Sequence, residues 1–172
     1  MTGLLNNFSL TKNSDLSTMI WKPNVTVATI LERDGKFLLV EEESPSGLVL
    51  NQPAGHLEPD ESLLDAAVRE TLEESAYRFQ PEHVVGIYRW HSPSSPNKKN
   101  SGTTYLRFAF TGNILAHYPE QSLDEGIARA VWLTLDEIRA SQARHRSPLV
   151  LRCVEDYLAG KRYPLELLTH YE

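Results

Sequence analysis

Three glutamates close together in the chain, Glu70, Glu73 and Glu74, are the residues best suited to do chemistry. On a helix starting near Ser62, with about 100° of turn per residue, all three fall within an arc of about 100°. Leu64, Ala67, Val68, Thr71 and Leu72 fall on a separate arc suited to a core. Like charges three and four residues apart cost about 0.2–0.5 kcal/mol per pair, so the cluster calls for a counter-charge. Hard divalent cations, Mg²⁺ above all, take such oxygen ligands and work with phosphate substrates. The other reading of three glutamates alone is a solvated acidic face. Between Gly55 and Ser75 there are seven acids and one base, Arg69, so this window carries the net charge of the whole chain, −6. A bare anionic substrate is repelled from it unless a cation intervenes. The rest of the chain is neutral, so no broad basic surface for nucleic acid is indicated.

The elements that must position these groups can be read from pattern. NVTVATILE, from Asn24, alternates like a strand. Asp34-Gly35 marks a hairpin turn into a partner strand, KFLLVEEE. Pro45-Ser46-Gly47 makes another turn before LVLNQ, and a loop is expected from Pro53 to Glu61. Ser62 caps the helix, with Asp65 three residues on. HVVGIYRWH and TTYLRFAFTGNIL read as two strands joined by a flexible Ser/Pro/Asn/Lys-rich loop, and ARAVWL as a third. Thr134 and Glu137 have capping-box spacing, and Pro148 opens a last helix that ends at Gly160. The mixed order predicts one layered α+β domain over 21–172. Residues 1–20 read as an N-terminal extension, dispensable up to Met19. The one cysteine, Cys153, excludes an internal disulfide and sits on an apolar-periodic helix, where burial is expected. No apolar run is long enough to span a membrane and no signal-peptide pattern is evident, so a cytoplasmic protein is expected.

The wider spacing is more specific than the three glutamates. Gly55, five residues, Glu61, seven residues, Arg69-Glu70, two residues, Glu73-Glu74 closely resembles the Nudix box. Three positions depart: Thr71 stands for an aliphatic residue, Ala76 for the glycine that ends the helix, and Tyr77 for a small aliphatic. WKPNVTVATILERDGKFLLVEEE, NQPAGHLEPDESL, RSPLV and GKRYPLE are similar to the NudJ-type phosphatase branch of Nudix hydrolases, a likeness that runs from about Trp21 to Leu167. The resemblance implies an α/β/α sandwich, with a mixed β-sheet between helices and the box as loop–helix–loop. It implies hydrolysis of phosphoanhydrides in small phosphorylated molecules: nucleoside di- and triphosphates, or a pyrophosphorylated thiamine precursor, with release of phosphate. Two other readings stay open: cleavage between internal phosphates of nucleotide sugars, dinucleoside polyphosphates or oxidised nucleotides, and a binding module without turnover.

By the same resemblance Glu70, Glu73 and Glu74 are the metal ligands, for Mg²⁺ with Mn²⁺ as a substitute, and one of them or a glutamate on another loop takes the proton from water. Arg69 pairs with Glu61 to orient the loop and Glu73. Gly55 fits a tight turn, and the Ala54 carbonyl is a further ligand candidate. Asp124 and Glu125, before ARAVWL, are candidates for an extra carboxylate or a substrate contact. Arg89 and Arg107 are candidates for phosphate, and Tyr88, Trp90 and Tyr105 for stacking on a substrate ring, although strand aromatics also fill cores. His56 is read as solvent-facing or beside substrate. Lys98 and Lys99 are expected on a flap over Ser92–Gly102 that adds affinity for substrate. Oligomeric state is left open by the sequence.

Overall fold

The structure, a computed structural model, describes residues 21–93 and 102–171. The N-terminal extension, expected to be dispensable, and Lys98 and Lys99 of the expected flap therefore lie outside the described residues. Strands β1 (Asn24–Thr29), β2 (Glu32–Arg33), β3 (Lys36–Ser44), β4 (Gly47–Asn51) and β5 (Ala54–His56) precede helix α1 (Leu63–Ser75). Then come β6 (Tyr77–Ser92), β7 (Thr103–His117), β8 (Ile127–Thr134), α2 (Leu135–Ala140), α3 (Leu149–Leu158) and β9 (Tyr163–Pro164). The strands form two sheets. One is mixed, in the order β5-β1-β7-β6-β9, with β1 parallel to β7. The other is antiparallel, with β2, β4 and β8 all pairing to β3.

Alternation along the strands divides the core in two. Val27, Leu38 and Phe110 pack beneath α1 with Ala66, Ala67, Phe79 and Val84. Phe37, Leu39 and Ala109 pack beneath α3 with Leu149, Val150, Cys153 and Val154. The result is an α+β sandwich with α1 on one side and α3 on the other, and Cys153 is fully buried as expected.

Two expectations need correction. The segment from Pro53 to Glu61 is not loop throughout: Ala54, Gly55 and His56 pair with Ala28, Val27 and Thr26 of β1. Three residues between a proline and a polar stretch give too short a pattern to read as a strand; the open edge of β1 makes it one. The strand placed at His83 begins at Tyr77 and passes through Pro81. The register shifts between Pro81 and His83, a bulge that accommodates the missing N–H. Gly112 lies opposite, where a Cβ would meet the Gln80 carbonyl oxygen at 1.9 Å.

Helix α1 begins as expected, with the Ser62 hydroxyl accepting from the Asp65 N–H at 3.1 Å. Its end uses no glycine. Ala76 takes the left-handed conformation at φ 59°, and its N–H donates to the Leu72 carbonyl. The β7–β8 connection adds donors there: Gln121 Nε2 gives Leu72 O a second hydrogen bond at 2.9 Å, and the Asp124 N–H donates to Glu73 O at 3.1 Å. Thr71, the other departure inside the helix, is buried and hydrogen-bonds Thr29 Oγ1 at 2.8 Å, so its hydroxyl is matched across to β1.

Relief of left-handed strain is worth about 1–2 kcal/mol, against about 0.8 kcal/mol for the buried methyl of Ala76. Ala76→Gly is therefore expected to raise the urea midpoint without changing the denaturant slope. A lowered midpoint would show that the methyl matters more than the strain.

Candidate active site

The glutamates of α1 do not form a solvated face. Glu70 and Glu74 are each only 8% exposed, and they share the helix's buried stripe with Ala66, Ala67 and Thr71, which are fully buried. Leu64 and Val68 flank that stripe, half-buried. One turn apart, Glu70 and Glu74 both press on β5. A Cβ on Gly55 would lie 2.1 Å from the Glu70 carboxyl carbon, so the glycine is required by close approach and not by a tight turn. The Ala54 N–H donates to Glu74 Oε2 at 2.8 Å. Ala54 sits opposite Ala28, between the Thr29–Pro53 and Val25–Leu57 backbone bonds, so its carbonyl also points away from β1.

Arg69 binds the helix to the loop before it. Its guanidinium donates to both Glu61 oxygens (2.7 and 3.0 Å), to Glu70 Oε1 (2.8 Å), to Glu73 Oε2 (3.0 Å) and to the His56 carbonyl (3.1 Å). The Glu61 bonds, followed by those to Glu70 and Glu73, hold Arg69 more firmly protonated than usual. In return Arg69 holds Glu61 below the ordinary carboxylate range. Glu61 also accepts the Glu58 N–H at 2.8 Å, which closes the loop.

The buried pair is shifted the other way. Burial pushes the Glu74 carboxyl up to about 8, opposed by the Ala54 N–H and aided by the negative charges of Glu70, Glu42 and Asp124. Burial also raises Glu70, with Arg69 opposing. These are oxygen donors of the type hard cations take, one of them holding a proton for want of a positive partner. Among the described residues, however, no three His, Cys, Asp or Glu side chains converge as a ready-made metal centre. The reason is visible in the ion pairs: Arg69 draws one oxygen of Glu70 and one of Glu73 to itself, and the Glu73 side chain is 38% exposed.

Beside this cluster lies a cleft of about 390 Å³, lined in part by Ala54, Gly55 and His56. Its floor is the face of the mixed sheet opposite α1. There the side chains of Thr26 and Arg107 are cross-strand neighbours, and Tyr105 and Trp90 are stacked with ring centroids 5.6 Å apart. Of the residues singled out from sequence, Trp90, Tyr105 and Arg107 are thus brought together, with His56 at the rim. Tyr88 is directed from the same face into the α3 core, where its hydroxyl donates to Asp156 at 3.0 Å. Arg89 is not in the cleft. It is exposed on the other face of β6, with its guanidinium 6.0 Å from the Trp21 ring centre, because successive strand residues face opposite ways. Asp124 is anchored by its backbone to the end of α1 and adds negative charge near Glu70 and Glu74. Glu125 is exposed in the adjoining turn.

Four cleft residues escape a reading by pattern: Thr26, Glu42, Asn51 and Arg146. Thr26 and Asn51 look like ordinary strand residues, and Glu42 like one acid in a run of three. Arg146 belongs to RSPLV, where the family likeness was the available signal. Glu42 and Arg146 pair at 3.0 Å across the cleft wall. That wall is held by Glu41, which is buried and bridged by Arg129 and Arg144, and by the Arg146 N–H on Leu50 O at 2.9 Å.

Comparison with known proteins agrees with this geometry. Residues 21–153 match the family described as NUDIX domain. The chain is 40% identical over 152 residues to Phosphatase NudJ of Escherichia coli strain K12, covering 88% of this chain and 94% of that protein. It is similar to a NUDIX hydrolase from Nitrosomonas europaea at 55% identity and TM-score 0.81, over 87% of this chain and 98% of that one. The fold alone is shared with the Escherichia coli ORF135 protein, at 23% identity and TM-score 0.60, over 80% and 90% of the two chains. No helix among the described residues is long and apolar enough to cross a membrane.

Two outcomes are expected. Glu74 is raised on folding, so its contribution to stability is full below its unfolded value near 4.5 and is lost as pH rises through about 8. In a chelator, the melting temperature should fall from pH 5 to 8.5 in the wild type, and Glu74→Gln should flatten that slope and melt higher at pH 8.5. Parallel slopes would mean that Glu74 is not held protonated. Gly55→Ala should lower stability by at least about 1 kcal/mol by forcing the Glu70 carboxylate aside, as read from urea denaturation; an unchanged midpoint would show that the contact yields freely.

Proposed function

The chain belongs to the NUDIX family, and from that premise we propose that it is a Mg²⁺-dependent enzyme that hydrolyses the terminal phosphoanhydride of nucleoside di- and triphosphates or of a related small pyrophosphorylated metabolite, such as a thiamine-precursor pyrophosphate, in the cytoplasm. A Nudix phosphohydrolase acting on small phosphorylated substrates is the secure part, and divalent-cation use is general to the family. The observation that carries the finer reading is the buried Glu70–Glu74 pair pressed against β5, whose three residues also line an aromatic-walled cleft. Release of terminal phosphate is favoured by the NudJ relative, which is named a phosphatase.

Glu70, Glu74 and the Ala54 carbonyl would hold the cation, with Glu73 joining once its oxygen leaves Arg69. Mn²⁺ suits the same donors. Bound there, the cation neutralises charge on the phosphates and lowers the pKa of water. The chain's own residues do the rest. Arg69, held by Glu61, fixes the rotation of α1 and so the direction of the glutamates. One of these glutamates, or a carboxylate on another loop, would take the proton from water. Asp124 adds negative charge at the same point. Trp90 and Tyr105 offer a stacking wall for a substrate ring, and Arg107 a fixed positive charge beneath it.

The test is a substrate panel with Mg²⁺, scored for phosphate with and without added pyrophosphatase. Phosphate without the helper is expected. Phosphate only with the helper would indicate internal cleavage, and none in either case would favour a binding module. Excess EDTA should abolish turnover, and Glu73→Gln or Glu74→Gln should lower kcat by at least about 100-fold. Wild-type kcat in both variants would remove the glutamates from the mechanism.

A further inference from the structure

The floor of the cleft has a polar arrangement that hydrolysis of a phosphoanhydride does not call for. Arg107 is 8% exposed, yet among the described residues no carboxylate lies within ion-pair distance of it. Its hydrogen bonds there run to neutral amide oxygens, Gln52 Oε1 at 3.3 Å and Asn51 Oδ1 at 3.4 Å, both longer than a good N–H···O bond. A guanidinium carries five N–H donors and cannot accept; with two long amide bonds and the buried Cys153 sulfur beside it, part of its capacity is unspent. Beside it, the Thr26 hydroxyl is buried and has no hydrogen-bond partner among the described residues. A buried polar group left in this state costs about 1–3 kcal/mol.

The neighbouring amides sharpen the pattern. Gln52 is used at both ends, since its Nε2 donates to the Val150 carbonyl at 2.7 Å. The Asn51 oxygen is turned to Arg107, which leaves its NH₂ as the group free to face the cleft. The carboxylate in the cleft wall, Glu42, is engaged by Arg146. The floor therefore offers Arg107 N–H and Asn51 N–H, which only donate, and the Thr26 hydroxyl, which can donate or accept, under a stacked aromatic wall. A flat ring lying against Trp90 and Tyr105 turns its edge to these donors.

We propose that Thr26, Asn51 and Arg107 form a specificity floor that reads a hydrogen-bond-accepting edge on a planar nitrogen heterocycle, so that a ring bearing an oxo group is preferred to the same ring bearing an amino group. An amino group there would set donor against donor at Arg107 and Asn51, and only the Thr26 hydroxyl could accept from it. This rests on the phosphohydrolase reading of the same site and, among nucleotides, ranks oxo-substituted rings above amino-substituted ones. Thr26 and Asn51 touch the ring and not the reacting phosphate, so their effect falls on binding.

The experiment compares two pairs of substrates that differ at this edge while sharing the same triphosphate: inosine with adenosine triphosphate, and uridine with cytidine triphosphate. KM should be about tenfold lower for the oxo member of each pair, the worth of one charge-assisted hydrogen bond. Thr26→Val keeps the side chain's shape and removes the hydroxyl. It should raise KM for the oxo substrates several-fold and change kcat less than KM. It should also raise the melting temperature, because a buried unpaired hydroxyl is replaced by a methyl. Equal KM within both pairs, or a Thr26→Val protein with the wild-type KM for the oxo substrates, overturns the specificity floor and leaves the phosphohydrolase reading standing. Hydrolysis of none of the four overturns that reading, and the floor with it.

Discussion

The structure around the site depends on one guanidinium. Seven acids in the Gly55–Ser75 window would repel one another if nothing opposed them, and Arg69 is the base that does. Its fork faces four partners at once: Glu61 on the loop, Glu70 and Glu73 on α1, and the His56 carbonyl on β5. A lysine would supply the charge but not the planar fork that joins three elements. The arrangement is half-buried, where such hydrogen bonds are stronger than on an open surface. It also has a consequence for the glutamates. Glu70 and Glu73 each keep an oxygen on Arg69, while Glu74 keeps its oxygen on the Ala54 N–H. The carboxylates are therefore prepared for a cation without yet being gathered on one point.

The short strand β5 links the chemistry to the cleft. Its central residue, Gly55, faces α1 and makes room for the Glu70 carboxylate. Its outer residues pair with Ala28 and Thr26, whose side chains belong to the opposite face of the sheet. A three-residue strand at a sheet edge thus puts buried carboxylates on one side and the ring-binding floor on the other, within one strand spacing of each other. The alternation of β1 continues this division: Val27 enters the core beneath α1, and Thr26 the floor of the cleft.

Charge is handled differently on the two faces. Beneath α1, negative groups are concentrated and their affinity for protons is raised, by burial first and by each other second. On the cleft face, a positive group is buried without a carboxylate partner among the described residues, and burial lowers its affinity for protons. Each is costly in the free protein. A substrate with a cation at its phosphates and acceptors on its ring would meet both needs together.

The spacing from Gly55 to Glu74 determined the family, because polar identities at fixed intervals are tied to chemistry and do not depend on packing. The helix start at Ser62, the turn at Asp34-Gly35 and the capping box at Thr134 were equally legible, since each is a local matter of which side chain meets which backbone group. Long-range packing decided the rest. Periodicity could put Glu70 and Glu74 on one arc of a helix, but only docking against β5 made that arc buried. It could put Arg89 and Trp90 on one strand, but the pairing of β6 with β7 sent one to the Trp21 side and the other into the cleft. It gave no sign of Thr26 or Asn51, because a threonine or asparagine in a strand looks the same with a hydrogen-bond partner as without one. Ala76 shows both sides of the matter. The sequence marks it as a poor helix end, and the β7–β8 connection, more than forty residues away, makes that end workable by supplying donors to the terminal carbonyls. What the chain encodes locally is therefore the reactive groups and the element ends. Which of those groups are buried, and which are left facing a cleft without partners, depends on segments distant in sequence that meet only in the fold.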